Sequence, residues 1–138
     1  MDVIFKYELS DTIKMPIKSV IVTDNNLYLV SGLSNESKYD IDSSKIKSTI
    51  EKYADKINNI KNKELPSLPI LDGYNNSIEF KYNNKKYNYE FRNLDFYSKE
   101  EIDENEYLSL VFEFLIEIDD ELESQVKEVE KYFVLDDE

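Results

Sequence analysis

Tyr107-Leu108-Ser109-Leu110-Val111-Phe112-Glu113-Phe114-Leu115-Ile116-Glu117-Ile118 is the most apolar run of the chain, and it supports two readings. Leu110, Phe112, Phe114, Ile116 and Ile118 alternate with other positions, and Phe and Ile favour strands. Leu108, Val111, Leu115, Ile118, Leu122, Val126, Val129 and Phe133 recur instead at steps of three or four, the spacing of one helix face. The alternation stops at Ile118, whereas the helical stripe continues, so the run predicts a helix reaching about Phe133. Upstream, Ser98-Lys99-Glu100-Glu101 fits a capping box, with Ser98 as N-cap and Glu101 at the third helical position. No Gly or Pro follows Gly73 to break the helix.

Outward from this run, the preceding segment reads as a hairpin. Ile78, Phe80 and Tyr82 alternate with polar residues, Asn83-Asn84 supplies the turn, and Tyr87, Tyr89 and Phe91 alternate again. Before it lies a stiff connector, Leu65 to Gly73, in which Pro66 and Pro69 forbid helix. Ile46, Ile50, Tyr53, Ile57 and Ile60 predict an amphipathic helix from about Lys45 to Asn62, with Asp42, Ser43 and Ser44 as candidate caps. At the start, Val3, Phe5, Tyr7 and Leu9 alternate as a strand. Ser19 to Thr23 and Leu27 to Val30, joined by Asp24-Asn25-Asn26, form another hairpin, and residues 33–41 read as polar loop. The expected fold is one α+β domain over residues 1–138: an antiparallel sheet of about five strands in two hairpin groups, two helices on one face, in the order β-β-β-α-β-β-α.

Composition removes whole classes of chemistry. The chain of 138 residues has no His, Cys or Trp and only 2 Gly. It can form no disulfide, iron–sulfur cluster or thiolate zinc site, and it lacks the commonest general base. Two glycines supply no phosphate-cradling loop. Asp24-Asn25-Asn26 and Asp103-Glu104-Asn105 fail as EF-hands, because Leu29 and Leu108 replace the obligatory Gly and Asn35 and Phe114 replace the bidentate Glu. No pair of carboxylates stands out as an acid/base couple, so the expectation is a non-catalytic protein without cofactor or resident metal. Glu113 and Glu117, one turn apart, offer at most weak surface binding of Ca²⁺ or Mg²⁺. The interleaved Phe80 to Tyr89 segment is explained by one buried and one solvated strand face, so base stacking is not expected.

The charge is unevenly placed. The net is −13, yet residues 1–94 carry 13 acidic and 14 basic side chains, while residues 95–138 carry 17 acidic and 3 basic ones. The first helix is rich in Lys. A solvated helix face, softened by those lysines, is the simplest account of the acidic region. The functional account is an acidic ridge that a basic partner neutralises, with Glu113, Glu117, Asp120, Glu121 and Glu128 as candidate contacts. Such a surface argues against direct binding to nucleic acid or to an anionic membrane. The first residues have no basic region followed by an apolar one, so a cytoplasmic location is expected. A single Arg among 17 basic residues, with abundant Asn, Ile, Lys and Tyr, suggests an AT-rich, bacterial genome.

The two strand groups each leading into a helix, Leu71-Asp72-Gly73 before the second hairpin and the acidic C-terminal helix together resemble small bacterial proteins of unassigned function, some of them immunity partners of toxins. That resemblance implies a protein-protein interaction module, immunity- or inhibitor-like, against a basic partner such as a toxin. The alternatives are a phage-type inhibitor that mimics nucleic acid with rows of carboxylates, or a soluble domain with no strong partner.

Overall fold

A computed structural model of the chain describes residues 2–13, 15–60, 64–66 and 73–133. Strands β1 (Phe5–Ser10), β2 (Pro16–Val22), β3 (Asn26–Ser31) and β4 (Asn35–Asp40) run antiparallel in succession. Helix α1 (Ser44–Ile60) then leads the chain back, and β5 (Asn75–Tyr82) with β6 (Lys85–Arg92) is added on the free side of β1. The result is one six-stranded sheet of order β4-β3-β2-β1-β5-β6. After a 3₁₀ turn at Leu94–Phe96 come α2 (Lys99–Glu104), α3 (Glu106–Gln125) and a second 3₁₀ turn, Lys127–Lys131.

The register explains which face is buried. Tyr39, Leu27, Val22, Phe5, Phe80 and Tyr87 lie side by side across the sheet, and Leu29, Val20, Tyr7, Ile78 and Tyr89 form the next row. Because strand side chains alternate, the neighbouring row, Lys38-Tyr28-Ile21-Lys6-Glu79-Asn88, points to the opposite face, as in antiparallel sheets open to water on one side. Helix α1 buries Ile46, Ile50, Tyr53, Ala54 and Ile57. Helix α3 buries Leu108, Val111, Leu115, Ile118 and Leu122 of the expected stripe. Phe114 ties the layers together: its ring lies 5.9 Å from Phe5, 5.6 Å from Phe80 and 5.7 Å from Tyr53. Each such ring pair adds about 0.5–1.5 kcal/mol beyond area burial. The run at 107–118 is therefore helix, and its alternating character reflects a helix wide enough in its apolar arc to bury Phe112 and Phe114 as well.

Three expectations need correction. The sheet has six strands, because residues 35–40, read as loop, form β4. All its side chains are exposed except the half-buried Tyr39, so hydrogen bonding to β3, rather than apolar patterning, holds it in place. Among the described residues three α-helices replace the expected two. The Ser98–Glu101 capping box is present, but the helix that it starts ends at Glu104. Asn105, in extended conformation, closes α2 with its backbone and opens α3 by accepting a 3.0 Å hydrogen bond from the Leu108 N–H. Finally, α3 stops at Gln125, since Val126 is extended (φ −137°, ψ 104°). Val126, Val129 and Phe133 remain buried from a 3₁₀ turn, with the Phe133 ring stacked 5.1 Å from Tyr7. The stripe thus marks burial correctly beyond the point where the helix ends. Most of the Leu65–Gly73 connector lies outside the described residues.

The second hairpin forms as expected. Asn83 (φ 51°) and Asn84 (φ 62°) occupy the left-handed region that a two-residue hairpin turn needs, and Asn tolerates it. Asn93 (φ 58°) is a third such residue. Its Oδ1 accepts from the Tyr74 N–H at 2.8 Å, and its own N–H donates to the Tyr74 carbonyl at 2.9 Å. That clamp brings Asn93 so close to Gly73 that a side chain there would collide with the Asn93 carboxamide. The Gly of the Leu-Asp-Gly motif is therefore fixed by space; Leu71 and Asp72 lie outside the described residues.

Candidate functional site

The acidic surface is built by α2 and α3 lying beside α1. The α3 core stripe turns Tyr107, Val111, Phe114 and Ile118 inward. Residues half a turn away face solvent, among them Glu113, Ile116 and Asp120. Of the expected contact residues, Glu113 and Asp120 are exposed and Glu117 and Glu121 are partly covered. Glu128 is exposed but sits on the 3₁₀ turn beyond Val126, off the α3 helix. The five residues therefore do not form one continuous helical row.

The lysines of α1 divide this surface in two. Toward the C-terminal half of α3, Glu117, Asp120, Glu121 and Ser124 face Lys45, Ser48, Thr49 and Lys52 across an open groove of about 540 Å³. Lys52 Nζ donates to Glu117 Oε1 at 2.8 Å, with both side chains substantially exposed. That hydrogen bond raises the Lys52 pKa above its ordinary value. Tyr53 is also raised, by burial first and by the nearby Glu117 charge second. Glu121 accepts from Gln125 Nε2 at 2.7 Å. Gln125 in turn clamps the Asp42 backbone, accepting from its N–H at 2.7 Å and donating to its carbonyl at 2.8 Å, which fixes the end of α3 against the start of α1. This groove is largely neutralised within the chain.

The other part is different. At the α2–α3 junction a cleft of about 630 Å³ is lined by Asp103, Glu104, Glu106 and Glu113, with Lys56, Asn59, Ile60, Ser109 and Leu110. Among the described residues, Lys56 is the only cation facing those four carboxylates. The concavity comes from the helix break: Asn105 lets α2 diverge from α3, and its Nδ2 donates to the Glu64 carbonyl at 3.1 Å, tying the junction to the connector. Ser109 Oγ donates to the Ile102 carbonyl at 2.8 Å and holds the two helices together. With carboxylates around an Ile60–Leu110 floor, the cleft has the chemistry to receive a cationic side chain with an aliphatic stem, Lys or Arg. Comparison with protein-family models, with curated proteins and with solved structures finds no match to this chain.

The sequence reading found Glu113 but missed Asp103, Glu104 and Glu106 as its companions. Asp103 and Glu104 reach the cleft from α2, whereas Glu106 and Glu113, two turns apart, come from α3. The signal was present in Asp103-Glu104-Asn105, a helix C-terminus followed by an N-cap residue. Asp119, Asp120 and Glu123 bring carboxylate oxygens within 4.8 Å of one another and could hold a hard cation such as Ca²⁺. Among the described residues no helix is long and apolar enough to cross a membrane.

Proposed function

We propose that this protein is a non-catalytic, cytoplasmic interaction module of a bacterium that engages a basic protein partner through the acidic α2–α3 surface. The observation that supports this reading is the cleft in which Asp103, Glu104, Glu106 and Glu113 face Lys56. An immunity-like role against a cationic nuclease toxin is the concrete form, since a nuclease must present positive charge to hold phosphates. Complementary charge of this kind speeds encounter and selects the partner. The mimicry alternative is less well supported, because Lys45 and Lys52 interrupt the carboxylates along α3 and the helix ends before Glu128.

Affinity capture from the source organism at low and high salt, followed by titration of the purified partner, tests the reading. A basic partner retained at low salt, released at high salt, and lost with the variant carrying Asp103→Lys, Glu104→Lys and Glu113→Lys is the expected result. Circular dichroism must show the variant folded. Unchanged binding of the same partner by the folded variant, or no salt-sensitive partner at all, refutes it.

A further inference from the structure

Strand β6 is an edge of the sheet, and its sequence Lys85-Lys86-Tyr87-Asn88-Tyr89-Glu90-Phe91-Arg92 is self-complementary in one register. The hydrogen-bonding phase of this strand follows from its turn. A two-residue turn with both residues at positive φ closes on a mutually hydrogen-bonded pair, here Tyr82 and Lys85. Such pairs recur at every second residue, so Lys85, Tyr87, Tyr89 and Phe91 direct their backbone groups to β5. The Asn93 N–H donating to the Tyr74 carbonyl, two residues beyond Phe91, has the same phase. Lys86, Asn88, Glu90 and Arg92 therefore direct N–H and C=O outward, along an edge with no strand beside it among the described residues.

We infer that a second copy of this chain pairs antiparallel with β6 about a two-fold axis through Asn88, joining two six-stranded sheets into one. In this register Lys86 lies opposite Glu90 of the second copy, and Glu90 opposite Lys86, each a mutually hydrogen-bonded pair in phase with the outward backbone groups. Tyr87 lies opposite Tyr89 in a pair without direct backbone bonds, the type in which side chains come closest. A shift by two residues would set Lys86 against Arg92. The two tyrosines are the half-buried residues of this edge on the helix-covered face, their rings 5.7 and 5.9 Å from Phe80. The Tyr89 hydroxyl oxygen is buried without a hydrogen-bond partner. Aromatic and opposite-charge pairs are the contacts that stabilise neighbouring strands. The opposite edge, β4, offers only Tyr39 as a partly buried side chain, so pairing there would bury little apolar surface.

Sedimentation equilibrium of the full chain over a range of concentrations tests the inference. The expected species is twice 16.4 kDa. Lys86→Glu sets Glu opposite Glu90, and Glu90→Lys sets Lys opposite Lys86. Either should weaken the dimer roughly tenfold or more, because the two-fold axis applies the change twice. The double swap K86E/E90K should restore it, and a merely structural effect would not be reversed in this way. Asn88→Pro removes an N–H that the β5 ladder does not use and should give a folded monomer. Lys38→Pro, the corresponding change on β4, should leave the dimer intact. A chain of 16.4 kDa at every concentration, a double swap that fails to restore what either reversal weakens, a dimer that survives N88P, or one that Lys38→Pro dissolves overturns the inference.

Discussion

Asn76→Ala is expected to destabilise the protein more than its small size suggests. Asn76 is fully buried on β5, in the row with Leu9 and Phe91. Its Oδ1 accepts from the Leu94 N–H at 3.0 Å, and its Nδ2 donates to the Tyr7 hydroxyl at 3.1 Å. Leu94, itself fully buried, starts the 3₁₀ turn that carries the chain from the sheet toward α2. Truncation removes two hydrogen bonds of about 1 kcal/mol net each and leaves the Leu94 N–H without its acceptor at a cost of about 1–3 kcal/mol. The sum is about 3–5 kcal/mol, a large share of the ~5–15 kcal/mol that holds a domain folded. Tyr7→Phe removes the second bond while leaving Leu94 served, and should cost about 1 kcal/mol or more. Urea denaturation followed by circular dichroism reads both as shifts of the midpoint at unchanged slope. An Asn76→Ala variant within about 0.5 kcal/mol of the parent would show that this buried amide is not what pins the turn.

Gly73→Ala places a methyl group in the Asn93 carboxamide and should cost about 1–3 kcal/mol in urea denaturation. In the Asn93→Ala background that collision is relieved, so the same change should cost clearly less; simple additivity would refute the steric account. Asp95 is held above its ordinary carboxylate pKa by burial, and its Oδ1 has no hydrogen-bond partner. A raised folded-state pKa means stability that is fully present below about pH 3.8 and is lost as pH rises through the folded value. Asp95→Asn should therefore be more stable than the parent at neutral pH and lose that advantage in acid; equal midpoints at pH 7 would sink this reading. Added NaCl should raise the thermal midpoint, since it screens the mutual repulsion of a chain of net charge −13; a fall would mean that internal ion pairs dominate.

Elements whose side chains reach the core were legible in the sequence, as was the Ser98–Glu101 capping box, whereas β4 and the helix ends at Asn105 and Val126 were not. Phe80, Tyr87 and the Asn83-Asn84 turn carried hydrophobic period and turn chemistry together, so the hairpin was readable. The stripe from Leu108 to Phe133 was readable for the same reason, because burial and spacing coincide. β4 carries no apolar alternation: Asn35, Glu36, Ser37, Lys38 and Asp40 are all exposed, and only pairing with β3 makes them a strand. Val126 ends α3 inside an unbroken hydrophobic period, since burial continues through the 3₁₀ turn while backbone hydrogen bonding changes, and Asn105 parts α2 from α3 with no Gly or Pro to mark the break. Asn76 is polar, so hydrophobic patterning did not mark it, although its position in the β5 alternation places it on the buried face. The acidic cleft was half readable. Charge segregation located it between residues 100 and 138, but charge counting alone does not single out Asp103, Glu104 and Glu106 as the residues that line one cleft with Glu113.

The division of charge between helices is informative about what the acidic excess is for. If carboxylates served only to keep the protein soluble, they could sit anywhere on the outer surface, and the open sheet face would take them as readily as α3. Instead, that face mixes signs, with Lys6, Lys38 and Glu79 in one row, while the excess is gathered on α2 and α3. Along α3 the chain already supplies its own counterions: Lys52 engages Glu117, and Lys45 lines the same groove. An external cation arriving there must compete with an ammonium already in place. At the α2–α3 junction Asp103, Glu104 and Glu113 line a concave, partly apolar surface together with Glu106 and Lys56. Under the proposed function a cationic side chain of the partner would pair with Asp103, Glu104 or Glu113 there. Under the proposed function the cleft, rather than the Lys-matched length of α3, is where a basic partner would gain most, so Asp103, Glu104 and Glu113 are the substitutions that separate a binding surface from a merely solvated one.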